Sequence, residues 1–163
     1  MKFRAQVKQD FDTSKYLIYR ATEYSFDTVC ARQGAVASVL INDINLEVSD
    51  DGKIQFIWGY CPFHSWKRQS LIVPQAVPGE VAIVTNEPFT MGTSQALYPQ
   101  RLFPIFADET SGWVVVRGDS KPELAVMIMD GVIIEVDYNQ EFCALWLKPQ
   151  TGFTEKIWES LRK

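Results

Sequence analysis

His64 is the only histidine of the chain, which excludes two-histidine metal motifs and any acid–base scheme that needs separate imidazoles. A nucleophile–base pair built on it has Cys61 and Ser65 as its near neighbours in sequence. Such groups normally assemble across a fold, so the spacing alone points to a histidine that anchors a loop. Three cysteines and one histidine add up to the ligand count of a structural zinc site. Only Cys61-Pro62-Phe63-His64 has short ligand spacing, however, and Cys143 lies in an apolar run where a free cysteine acts as a small hydrophobe, so no metal and no cofactor is expected. Glu135 with Asp137, and Asp108 with Glu109, are the carboxylate pairs available for acid–base work. A solvated strand end and an ordinary turn account for them. Arg117-Gly118-Asp119 reads as a turn, and the sequence contains no nucleophile elbow, phosphate-binding glycine loop or dinucleotide fingerprint.

Recognition chemistry is better represented. The stretch after Trp58 breaks its alternation and sets Tyr60, Phe63, His64 and Trp66 beside Lys67 and Arg68, a mixture of aromatic anchors and cations found on binding surfaces. The competing reading folds Phe63 and Trp66 under as a lid on the core. Residues 86–101, with Pro88, Gly92 and Pro99 and no sustained period, form a long loop of the kind used for binding. The expected site is a cleft shared by these two loops, lined by Tyr60, Phe63, His64, Trp66 and Arg68, with Arg101 available for an anionic group.

Composition bounds the partners. With 163 residues, 47% hydrophobic and 22% charged, the chain is expected to form one globular domain over 1–163. A net charge of −4 disfavours nucleic acid, which needs a basic face. No window approaches a membrane span, and residues 1–8 lack the apolar core of a leader, so no membrane partner and a cytoplasmic location are expected. Three unpaired-looking cysteines fit a reducing compartment.

The elements that must carry these loops are mainly strands. Leu124 to Met129, Asp130-Gly131 and Val132 to Val136 form the strongest hairpin signal, with Phe142 to Leu147 as a following strand buried on both faces. A two-residue turn sets Met129 against Val132, Met127 against Ile134 and Ala125 against Val136 on a fully apolar side. The opposite side is apolar only near the turn and needs a cover there, for which a C-terminal helix from Thr154 to Lys163, with Ile157, Trp158 and Leu161 on one stripe, is the candidate. A three-residue loop Asp50-Asp51-Gly52 sets Val48 against Ile54, Leu46 against Phe56 and Ile44 against Trp58. Leu71 to Val73 and Val81 to Val84 are expected to pair around Pro78-Gly79. Residues 26–40 carry helical spacing interrupted by Gly34 and serve equally as helix or strand. The fold expected is mainly β, α+β at the margin, an antiparallel barrel or sandwich of about eight to ten strands with a C-terminal helix. The function expected is a small cytoplasmic module that binds a small molecule or a protein partner. The alternative is a small hydrolase or isomerase using His64 or a carboxylate in a barrel mouth.

Overall fold

A computed structural model describes residues 1–163, the whole sequence. The strands are β1 (Lys2–Val7), β2 (Asp12–Arg20), β3 (Ser25–Val29), β4 (Ala37–Ile41), β5 (Ile44–Val48), β6 (Ile54–Tyr60), β7 (Lys67–Arg68), β8 (Val77–Val84), β9 (Ser94–Ala96), β10 (Ile105–Ala107), β11 (Val114–Arg117), β12 (Leu124–Asp130), β13 (Val132–Val136) and β14 (Phe142–Leu147). A 3-10 turn, Phe63–Ser65, and one helix, α1 (Glu155–Leu161), complete the set. All fourteen strands belong to one curled, mixed sheet that makes a half-barrel. The order along it is β7-β10-β11-β14-β13-β12-β2-β3-β6-β5-β4-β9, with β8 and β1 branching from β12. No helix is long and apolar enough to cross a membrane.

The expected architecture is thus corrected in two respects. Hairpins do supply the antiparallel majority, but β7–β10, β2–β12, β8–β12 and β4–β9 pair in parallel. Parallel neighbours require long returns of the chain, and local patterning is blind to those. The strand count exceeds eight to ten in part because β7 and β9 are pieces of two and three residues, too short to show a period. Residues 26–40 contain β3 and β4, with Gly34 at φ 81° between them, so the strand alternative holds there. Leu71 to Val73 does not pair with β8. Gly79 lies inside β8 opposite Val7, and residues 69–76 instead run as a strap across the outside of the sheet.

Bulges decide which side chains face where. In β6, Val48 opposes Ile54 as the Asp50-Asp51-Gly52 loop requires, with Gly52 at φ 84°. The next pair is Glu47 with Phe56, so Gln55 is an extra residue, and Leu46 then opposes Ile57 and Ile44 opposes Gly59. A one-residue shift inverts every later side chain. Phe56 and Trp58 therefore leave the inner face where Leu46 and Ile44 point. In the β12–β13 hairpin, Met129 opposes Val132 as expected, but Ile128 is extra, and Met127 opposes Ile133 rather than Ile134. Val126, Val132 and Ile134 consequently join the main core, whereas Ala125 and Ile133 join Val115, Ala144 and Trp146 in a second cluster on the other side.

That second cluster is covered by Leu71, Val73 and Ala76 of the strap together with Phe106, Trp113 and Met127. The helix is not its cover. Ile157 and Trp158 belong to the main core, and α1 packs beside the 3-10 turn. The strap is anchored where the Leu71 amide donates to Asp108 Oδ2 at 3.0 Å and the Gln69 amide to Ala107 O at 2.9 Å.

Candidate functional site

The tip of the β2–β3 hairpin sets the frame of the candidate site. Tyr24 adopts φ 54°, a left-handed conformation uncommon for a bulky residue, and its carbonyl accepts the Cys61 amide at 2.7 Å. Tyr19 Oη donates to the Cys61 carbonyl at 2.9 Å. Both backbone groups of Cys61 are therefore held by one hairpin, and the chain is aimed so that Tyr60 stays on the outer face while Phe63 and Trp66 turn inward. Gly59 makes the approach of the β4–β5 turn possible: a Cβ there would lie 2.3 Å from Asp43 O and 2.8 Å from Ile44 Cα.

On the outer face the rings form a connected patch. Tyr60 and Tyr24 meet edge to face at 6.5 Å, Tyr24 lies 5.2 Å from His64, and His64 stacks on Phe63 at 4.2 Å. Trp58, two residues before Tyr60 on the same face, keeps its indole N–H on Glu47 Oε1 at 2.7 Å. Phe56, next along the stripe, lies under the Arg32 guanidinium at 4.5 Å. Trp58 is 43% exposed, Tyr60 52% and Tyr24 36%. Arg20 and Arg32 both pair with Asp27.

The expected site residues do not share one cleft. Trp66 is 5% exposed, packs against Tyr19 at 5.4 Å and Phe153 at 5.2 Å, and donates its indole N–H to Cys61 Sγ at 3.4 Å. Phe63 is buried beneath His64. Arg68 lies 3.6 Å from Glu109, a carboxylate it shares with Arg162. Arg101 pairs with Asp119 and covers Phe103 at 5.2 Å, in a separate aromatic group with Tyr98 and Phe142. Residues 86–101 are tied to β4 through β9 and not to the loop after β6. The structure therefore brings together Tyr60, Phe63 and His64, and separates Trp66, Arg68 and Arg101 from the surface they form.

Tyr24 and Trp58 complete the patch and escaped sequence reading. Tyr24 sits in a polar turn, where an isolated aromatic was the available signal. Trp58 has the parity of a core residue, and only the bulge at Gln55 turns it outward.

The chemistry on offer is limited. The His64 imidazole hydrogen-bonds no residue of the chain, and Ser65 Oγ donates to Pro62 O at 2.8 Å. Burial pushes the Cys61 thiol up to about 12, the reverse of what a thiolate nucleophile needs. Glu135 is buried and accepts the Trp146 indole N–H at 2.9 Å, while Asp137 accepts the amides of Asn139 and Glu141, so these two carboxylates do not act as a pair. No group of three or more His, Cys, Asp or Glu side chains is gathered to hold a metal ion. The principal cavities are modest: about 260 Å³ between Tyr19, Ala21 and Phe153, about 280 Å³ beside Arg4 and Phe89, and about 160 Å³ where β12 changes partner. Neither a protein-family model nor a curated protein matches this chain.

Proposed function

We propose that the protein is a recognition module whose binding surface is the patch of Tyr24, Trp58, Tyr60 and His64, and that its partner is another protein. The observation that carries this is the outward display of Trp58 and Tyr60 by the Gln55 bulge. Aromatic rings bury about 150–250 Å² each when covered, and a strand that turns two of them to solvent forgoes that gain until something else covers them. Tyr and Trp are also the residues that dominate binding energy at protein interfaces. An open patch suits a protein surface better than an enclosed ligand. A hydrolase or isomerase reading built on His64, rather than on a carboxylate, would need a partner for its imidazole, and the chain offers none within hydrogen-bonding distance. Three free cysteines, two of them buried, suit a reducing, cytoplasmic setting.

The test uses a photo-crosslinking residue at position 60 in the full chain. Its crosslinked partner, once isolated, is titrated against the wild-type protein and against Tyr60→Ala and Trp58→Ala. Each substitution is expected to cost about 1–3 kcal/mol of binding, while folding stability changes by no more than about 0.5 kcal/mol for Tyr60→Ala because that ring is exposed. Unchanged affinity in both variants would sink the proposal.

A further inference from the structure

The edge of β12 changes partner partway along. Val126 and Met127 pair with Val77 and Pro78 of β8, Met129 pairs with Asp12 of β2, and Ile128 between them pairs with neither strand. β8 and β2 diverge from this fork and leave the cavity of about 160 Å³, whose apolar wall is Phe11, Ile54 and Ile128. Beside Gln55 and Gly79, the remaining wall is charged: Lys8, Lys15 and Lys53 with Asp10, Asp12 and Glu80. Lys8 Nζ at 3.2 Å and Lys53 Nζ at 2.7 Å converge on a single oxygen, Oε2 of Glu80. Lys15 Nζ donates to the carbonyl of the bulged Gln55 at 2.6 Å and lies 3.6 Å from Asp12. Asp10 lines the same cavity and has no ion pair or hydrogen bond within the chain.

Two ammonium groups on one carboxylate leave a positive charge without its own counter-ion, and Asp10 is a carboxylate without a cation. Each ammonium carries three donors and spends one or two on the chain. A simple anion would meet the spare lysine donors but face Asp10, Asp12 and Glu80 as well. A simple cation would meet Asp10 but face three lysines. A molecule carrying both signs satisfies the two leftovers together. We infer that the fork is a binding site for a small zwitterion of the α-amino-acid type. Its carboxylate is taken by Lys8 and Lys53, its ammonium by Asp10, and a short apolar side chain by Phe11, Ile54 and Ile128. A cavity of about 160 Å³ accommodates a molecule of this size, and the site is independent of the aromatic patch.

The experiment is a titration of the full chain with L-alanine and L-valine, followed by amide NMR and calorimetry, with acetate and methylammonium tested separately as the two half-ligands. Saturable shifts are expected at the amides of residues 8–15, 53–55, 79–80 and 128. The Kd is expected to lie at least about tenfold below that of either half-ligand, as one added charge-assisted hydrogen bond implies. Asp10→Asn is expected to weaken binding about tenfold or more with the rest of the amide spectrum unchanged, since Asp10 holds nothing in the fold. Lys53→Gln is expected to weaken it comparably, and Tyr60→Ala to leave it unaltered. Absence of saturable shifts, acetate reproducing the full effect, or Asp10→Asn binding like the wild type would each overturn the inference and leave the six charges as an ionic seam.

Discussion

Thr28 Oγ1 donates to the Ile57 carbonyl at 2.7 Å and accepts the Ile57 amide at 3.1 Å, standing in for a ladder pair where β3 and β6 have moved apart beyond Phe26 and Gly59. Thr28→Val preserves shape and leaves two buried backbone groups of Ile57 without partners, so chemical denaturation should register a loss of about 1–3 kcal/mol. Thr28→Ser, which retains the hydroxyl, should lose much less. The thiols give a second prediction at this scale. Cys61 and Cys143 are buried, and burial pushes both up to about 12 from an ordinary 9.0. A group whose pKa is raised by folding supports the native state fully below its unfolded value and withdraws that support as pH climbs towards the folded value. The urea midpoint should therefore fall between about pH 9 and 12, and Cys61→Ala should flatten part of that fall. In the native protein at neutral pH a thiol reagent should label Cys30, the half-buried one, ahead of the other two.

The strap over residues 69–76 is attached through a titratable group, Asp108. Burial alone would raise the Asp108 carboxyl, but the amides of Leu71 and Thr110 and the hydroxyl of Ser111 outweigh it and hold the group below its ordinary 3.8. Stability from a depressed carboxyl is present above the unfolded pKa and is lost as pH falls through the folded one. Acid should thus loosen the strap as pH drops below about 4, exposing Trp146 and Ile133 beneath it. Trp146 near-UV dichroism and hydrogen exchange at Leu71 report the change, and Asp108→Asn should remove its pH dependence; a strap equally protected at pH 2.5 and pH 7 would contradict the assignment. Elements were unevenly legible in the sequence. The Asp50-Asp51-Gly52 turn and the Asp130-Gly131 hairpin could be read because turn residues dictate local backbone geometry. The bulges at Gln55 and Ile128 could not, since a bulge residue has no distinctive chemistry and its effect lies in the partner strand's register. The strap has the sequence pattern of half a hairpin because a covering segment and a buried strand carry the same apolar residues.

The whole sheet is stitched by contacts between distant parts of the chain. β1 pairs with β8, Asp12 of β2 with Met129 of β12, and β8 returns to the β5–β6 turn through Lys53 opposite Ala82 and the Ile83 amide on Gly52 O at 2.8 Å. Closing such loops costs entropy before any contact repays it, so refolding followed by tryptophan fluorescence should take roughly milliseconds to seconds; complete refolding within microseconds would show that local hairpins suffice. The same non-local stitching separates what each level of description determined. The β-rich composition, the turns, the two most apolar hairpin strands and an aromatic loop after Trp58 follow from local propensity and period-two patterning. Strand pairing across the fold is what sets β2 and β8 to divide the edge of β12 between them, keeps Trp66 and Arg101 in separate groups, and joins Tyr24 and Trp58 to Tyr60 and His64 on one surface. The physical reason is that facing and adjacency in a sheet are properties of pairs of strands. A single extra residue, Gln55, inverts the facing of every position after it, and the information that selects this register resides in Glu47, Leu46 and Ile44 across the ladder rather than in the strand that it turns outward.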